Sequence, residues 1–213
     1  MLSEYEGVTT SISVADGKGN MRTLSNVAAL KDKKTGRVWV EPEEVERATF
    51  RDLAAELGIK PRQVPLILLF HAQPGVFQRG FLVNKYKLNK MLFYQWKMLE
   101  KMGLGEGFIH DEFIPEKNGP VPKSLFEDLD DLRDKGLIKL SGGKKERKPV
   151  EAVLTLEGEH LATKTWCSVA EPYREISTDV KNMIFPLDPK TVKEKVHAEY
   201  PEFRKVYVEE DHE

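Results

Sequence analysis

The stretch over residues 85–162 constrains the fold of this 213-residue chain more than any other. Residues 85–102 carry Leu88, Met91, Leu92, Trp96, Met98, Leu99 and Met102 on one broad helical face. Lys87, Lys90, Tyr94, Lys97 and Lys101 fall on another face, and Gly103, Gly105 and Gly107 end the helix. Residues 108–115 look extended, and Asn118-Gly119-Pro120-Val121-Pro122 is a rigid turn. Ser124 then stands at the N-cap of a second helix with Leu125, Leu129 and Leu132 inward, and Glu127 completes a capping-box pattern. Residues 137–140 and 150–156 alternate as two strands around the tip 141–149. Thr155 can cap a third helix through His160, Leu161 and Trp166.

Helix, rigid turn, helix, basic hairpin, helix is the order of a winged-helix module. The expectation is an α+β, mostly α protein: a winged-helix-like domain with a basic β-hairpin wing over residues 80–204. A small hairpin-plus-helix region over residues 1–75 precedes it, and an acidic tail over 205–213 follows. Such modules bind DNA or proteins.

In the N-terminal region, residues 1–22 are polar and read as a loose arm or a short strand. Residues 27–30 and 38–40 are short apolar runs around a turn in which Gly36 supplies a positive φ. Residues 43–57 repeat apolar side chains at helical spacing, with Pro42 at the first turn and Gly58 at the close. Residues 63–71 read as a buried helix, and Gln73-Pro74-Gly75 as a domain boundary. Residues 53–64 have the cadence of a helix-turn-helix, but Pro65 and the apolar run after it oppose a groove-facing helix.

Composition narrows the class. The net charge is −2, with 40% hydrophobic and 32% charged residues. Near-neutrality excludes bulk attraction to nucleic acid and leaves local basic patches. Cys167 is the one cysteine, so neither an internal disulfide nor a cysteine-based zinc cluster can form. Residues 1–6 carry no signal-peptide pattern, and the apolar run at 64–72 is too short to span a bilayer. A cytoplasmic protein with no cofactor and no membrane association is expected.

Three stretches resemble the Panacea antitoxin domain of the SocA type and its YwgA-like relatives. They are Lys87-Leu88-Asn89-Lys90-Met91-Leu92-Phe93-Tyr94, then Phe113-Ile114-Pro115-Glu116-Lys117-Asn118-Gly119-Pro120, then Leu132-Arg133-Asp134-Lys135-Gly136-Leu137-Ile138. Tyr200-Pro201-Glu202 is similar to the end of those relatives, so the resemblance spans residues 83–203 and leaves the first 80 aside. It implies a helical domain that works by contact with partner proteins: toxin neutralisation, proteolytic adaptors or phage-related regulation. It carries over no catalytic residues. Where the family often has an aromatic before the Gly-Pro, this chain has Asn118.

Charge patterning supplies the candidate surfaces. The helix over 123–135 holds Glu127, Asp128, Asp130, Asp131 and Asp134 against three cations, a net −2. Phosphates repel such a helix, so its functional reading is an acidic protein-binding face. Residues 139–148 of the hairpin place Lys139, Lys144, Lys145, Arg147 and Lys148 against Glu146 alone, a net +4 that suits a phosphate backbone. The stripe of Lys87, Lys90, Tyr94, Lys97 and Lys101 is a second basic surface, which an acidic helix could cover within the fold or across a homodimer. Each patch has a plain alternative as a solvated face.

Catalytic patterns are thin. Gly103-Leu104-Gly105-Glu106-Gly107 follows a helix rather than a strand, so it is no dinucleotide loop. His110-Asp111-Glu112 and Asp211-His212-Glu213 are too short to converge on a metal ion. Cys167, Trp39, Trp96 and Trp166 read as core residues. Two function classes remain: a non-catalytic regulator that binds a protein partner such as a toxin, or a DNA-binding transcriptional regulator using the basic wing on double-stranded DNA.

Overall fold

The computed structural model describes residues 5–15, 21–71, 83–105, 112–143 and 148–203. It is an α+β fold, mostly helical, with small antiparallel sheets. The expected boundary at 73–75 and the acidic tail lie outside the described residues.

The N-terminal part is a long hairpin on a helix. Strand β1 (Tyr5–Ala15) pairs antiparallel with β2 (Met21–Asp32) from Tyr5↔Asp32 to Ala15↔Met21. β2 pairs in turn with the short β3 (Val38–Trp39), and Gly36 takes a φ of 72° in the turn between them. The ladder breaks between Thr10 and Ile12, opposite Asn26 with a φ of 55°. Helix α1 (Pro42–Leu57) packs on β2, and a small core of Leu24, Val27 and Ala48 seals the contact. From α1, Arg51 reaches over the break and donates to the carbonyls of Ser25 and Asn26. Of the loose arm or short strand expected over residues 1–22, residues 5–15 form an 11-residue strand.

Gly58, at a φ of 69°, ends α1 with its N–H donating to Ala55 O. A 3-10 turn at Pro61–Gln63 leads into α2 (Val64–Phe70), all seven residues of which are buried. Pro65 is tolerated because it sits in the first turn, where no amide donor is needed. α2 is thus a core helix rather than a groove-facing one.

β4 (Val83–Asn84) opens the next stretch, and Asn84 caps α3 (Lys85–Lys101) by accepting from Tyr86 N at 2.7 Å. β5 (Phe113–Ile114) and β6 (Val121–Pro122) form a two-stranded pair around the Gly-Pro turn. α4 (Leu125–Asp134) follows, then β7 (Ile138–Gly143), β8 (Lys148–Leu154) and α5 (Leu156–Ser168). The second sheet runs β4-β8-β7, entirely antiparallel. α6 (Glu171–Ile184) and α7 (Pro189–Glu199) close the chain's described part. One core cluster runs from Phe50 through α2, α3, α4, α5 and α6 to Val196 on α7. The division expected near residue 75 therefore does not separate two cores: α2 is packed among the helices that follow it.

Two expected core residues are on the surface. Cys167 is exposed, and Trp39 is 44% exposed with its ring edge-on to Tyr5 at 5.9 Å. Trp96 and Trp166 pack against the core. Among the described residues no helix is long and apolar enough to cross a membrane.

Candidate functional site: the α4 ion network and a cationic cleft

The acidic residues of α4 meet the chain's own cations. The short turn after α1 ends in Lys60-Pro61-Arg62-Gln63, and proline fixes its backbone so that three polar side chains point at α4. Arg62 Nε donates to both oxygens of Asp128, at 2.9 and 3.0 Å, and Arg62 Nη2 donates to Glu127 Oε1 at 2.8 Å. Lys60 Nζ donates to the same Glu127 oxygen at 2.9 Å. Gln63 Nε2 donates to Asp131 Oδ2 at 2.8 Å, and Lys135 Nζ lies 3.0 Å from that oxygen. Asp128 is buried, and Ser124 Oγ gives it a further hydrogen bond at 2.8 Å. Ser124 thus serves Asp128, Glu127 serves the cations, and the expected capping box is not formed.

The electrostatics follow from these contacts. The Lys60 hydrogen bond, helped by Arg62, holds the Glu127 carboxyl below its ordinary range. The Gln63 hydrogen bond does the same for Asp131 against an opposing burial penalty. The Glu127 hydrogen bond raises Lys60, so the pair stays ionised. Asp130 and Asp134 both pair with Arg133, at 2.6 and 2.8 Å. Beside them, Phe126 is 54% exposed with the Lys85 ammonium over its ring.

The basic stripe on α3 does not exist as a surface. Lys90 and Tyr94 are buried. Lys90 Nζ donates to Pro120 O at 2.7 Å, and burial lowers its pKa to about 7. Lys87 Nζ donates to Phe185 O at 2.7 Å, Lys97 Nζ bonds Glu100 at 2.8 Å, and Lys101 is exposed. The wheel failed because α3 is covered on nearly all sides: α6, α7 and the Gly-Pro turn lie where solvent was expected. On the hairpin, Lys139 is exposed, Lys148 opens β8, and Lys144, Lys145 and Arg147 lie outside the described residues.

The motifs behind the family resemblance meet around α3. Lys90 of the first stretch bonds Pro120 of the second, and Tyr200 packs edge-on to Phe93 at 5.0 Å. Their roles are structural. No protein-family profile matches the chain, and no curated protein is found similar to it.

A feature absent from the sequence reading lies on the other side of the Lys60–Arg62 turn. A cleft of about 530 Å³ opens between β2, α1 and that turn, lined by Arg47, Arg51, Lys60, Arg62 and Glu44 among its polar residues. Arg47 and Arg51 are one helical turn apart on α1, a spacing visible in the sequence; that Lys60 and Arg62 face them is a tertiary fact. A second cavity, about 280 Å³, lies between α1 and α6 and is mostly apolar. At its edge Glu46 Oε1 accepts from Tyr173 Oη at 2.5 Å and from Gly105 N at 2.9 Å.

Proposed function

We propose that this chain is a non-catalytic regulator built on a winged-helix-like module, acting by contact with a partner protein in the manner of an antitoxin or adaptor. The strand order β4-β8-β7, with α4 leading into the β7–β8 hairpin, supports the module. The observation that carries the protein-contact reading is the state of α4. In a DNA reader this helix would enter the major groove with its cations forward. Here the Lys60-Arg62-Gln63 turn occupies one side, and the Asp130–Arg133–Asp134 pairs stand with the exposed Phe126 on another. An exposed aromatic among charges suits a protein interface.

The DNA reading has one observation in its favour, the cationic hairpin beginning at the exposed Lys139. A duplex titration at two salt concentrations separates the two. The protein-contact reading expects weak binding that is unaffected when Lys144, Lys145, Arg147 and Lys148 are changed together to glutamine. Tight binding that falls steeply with salt and disappears in that variant would establish the DNA reading instead.

A further inference from the structure

We infer that the cleft between β2, α1 and the Lys60–Arg62 turn is a binding site for a small polyphosphate. This goes beyond the regulatory reading and stands independently of it. Among the described residues four cations and one carboxylate line the cleft; Arg47 pairs with Glu44 inside the lining, and Asp52, Glu127 and Asp128 anchor Arg51, Lys60 and Arg62 from outside it. Its volume of about 530 Å³ lies in the range of small-molecule sites. Among the described residues the lining contains no aromatic ring that would offer a base a stacking surface, so the recognition is of charge.

The cations are fixed before any ligand arrives. Arg51 is held by Asp52 at 3.1 Å and by the carbonyls of Ser25 and Asn26. Arg62 is held by the buried Asp128, and Lys60 by Glu127. An anchored guanidinium presents its remaining N–H donors without loss of rotamer freedom, and its planar fork matches phosphate oxygens. Arg47 stands one turn from Arg51 and is paired with Glu44, the one carboxylate among the described lining residues. Glu44 therefore competes with an incoming anion for Arg47.

Calorimetric titration of the full chain with pyrophosphate, at constant ionic strength, tests the assignment. Saturable binding is expected, weakened about tenfold or more by Arg47→Gln and by Lys60→Gln and unaltered by Lys190→Gln at the exposed start of α7. Glu44→Gln is expected to tighten binding severalfold, a gain that damage to the fold cannot produce. Absence of saturable binding, or affinities unchanged in the Arg47, Lys60 and Glu44 variants, would overturn the inference. A short DNA duplex that displaced pyrophosphate would place the phosphates on nucleic acid and overturn the small-molecule assignment.

Discussion

At the residue scale, Lys90 has the most consequential environment. An ammonium without solvent access and with one carbonyl partner is costly to keep charged, and its pKa falls from 10.5 to about 7. Between those values the unfolded chain binds a proton that the folded one does not. Stability therefore rises as pH climbs from about 7 toward 10, with a slope of up to ~1.4 kcal/mol per pH unit from this group. Burial lowers Lys181 to about 8 and adds in the same direction. Lys90→Met should remove this group's share of the slope in denaturant titrations run across the range and leave the share of Lys181. An unchanged slope would show that Lys90 is not buried as described. Cys167 gives a simpler check: exposed, it should react with an aromatic disulfide reagent in the native protein, whereas reaction only after unfolding would return it to the core.

At the element scale, junctions matter more than helices. Thr155 caps α5 by accepting from Gly158 N at 3.1 Å while donating to Gly136 O at 2.7 Å. A β-carbon on Gly158 would lie 1.9 Å from Leu137 O, so only glycine lets α5 approach the start of the hairpin. Gly158→Ala should destabilise the protein by about 3 kcal/mol or more, read by thermal or urea unfolding. A cost below ~1 kcal/mol would mean that the junction relaxes freely. Part of this junction was legible in the sequence: Thr155 announced the cap of the third helix, and the helices at 43–57 and 85–102 follow their apolar spacing. β1 was only half legible, as one of two readings, because Thr9, Thr10, Ser11 and Ser13 dilute the alternation and its pairing with β2 is a tertiary fact. The burial of Lys90 and Tyr94 was not legible, since a helical wheel shows which residues share a face and not what later elements place against it.

At the scale of the whole molecule, the Lys60–Gln63 turn joins the N-terminal hairpin-helix to the body. One side of it neutralises α4, and the other lines the cationic cleft. The five acids of α4 were visible as a run; the turn partners of Glu127, Asp128 and Asp131 sit more than sixty residues upstream, beyond the reach of local pattern, whereas Asp130 and Asp134 pair with Arg133 on α4 itself. Because α2 shares one core with the later helices, residues 42–203 should unfold as one cooperative unit. Coincident far-ultraviolet circular dichroism and tryptophan-fluorescence transitions are expected, and separated midpoints would restore the division near residue 75.

The account turns on α4 being held by the chain itself, and a double-mutant cycle on Arg62 and Asp128 tests that most directly. Arg62→Ala, Asp128→Ala and the double variant should reveal a coupling of about 2 kcal/mol or more in unfolding free energy, because removing either partner alone strands a buried charge or its mate. A coupling below ~0.5 kcal/mol would mean that the Lys60–Gln63 turn does not hold α4, and would contradict the arrangement from which the function is argued.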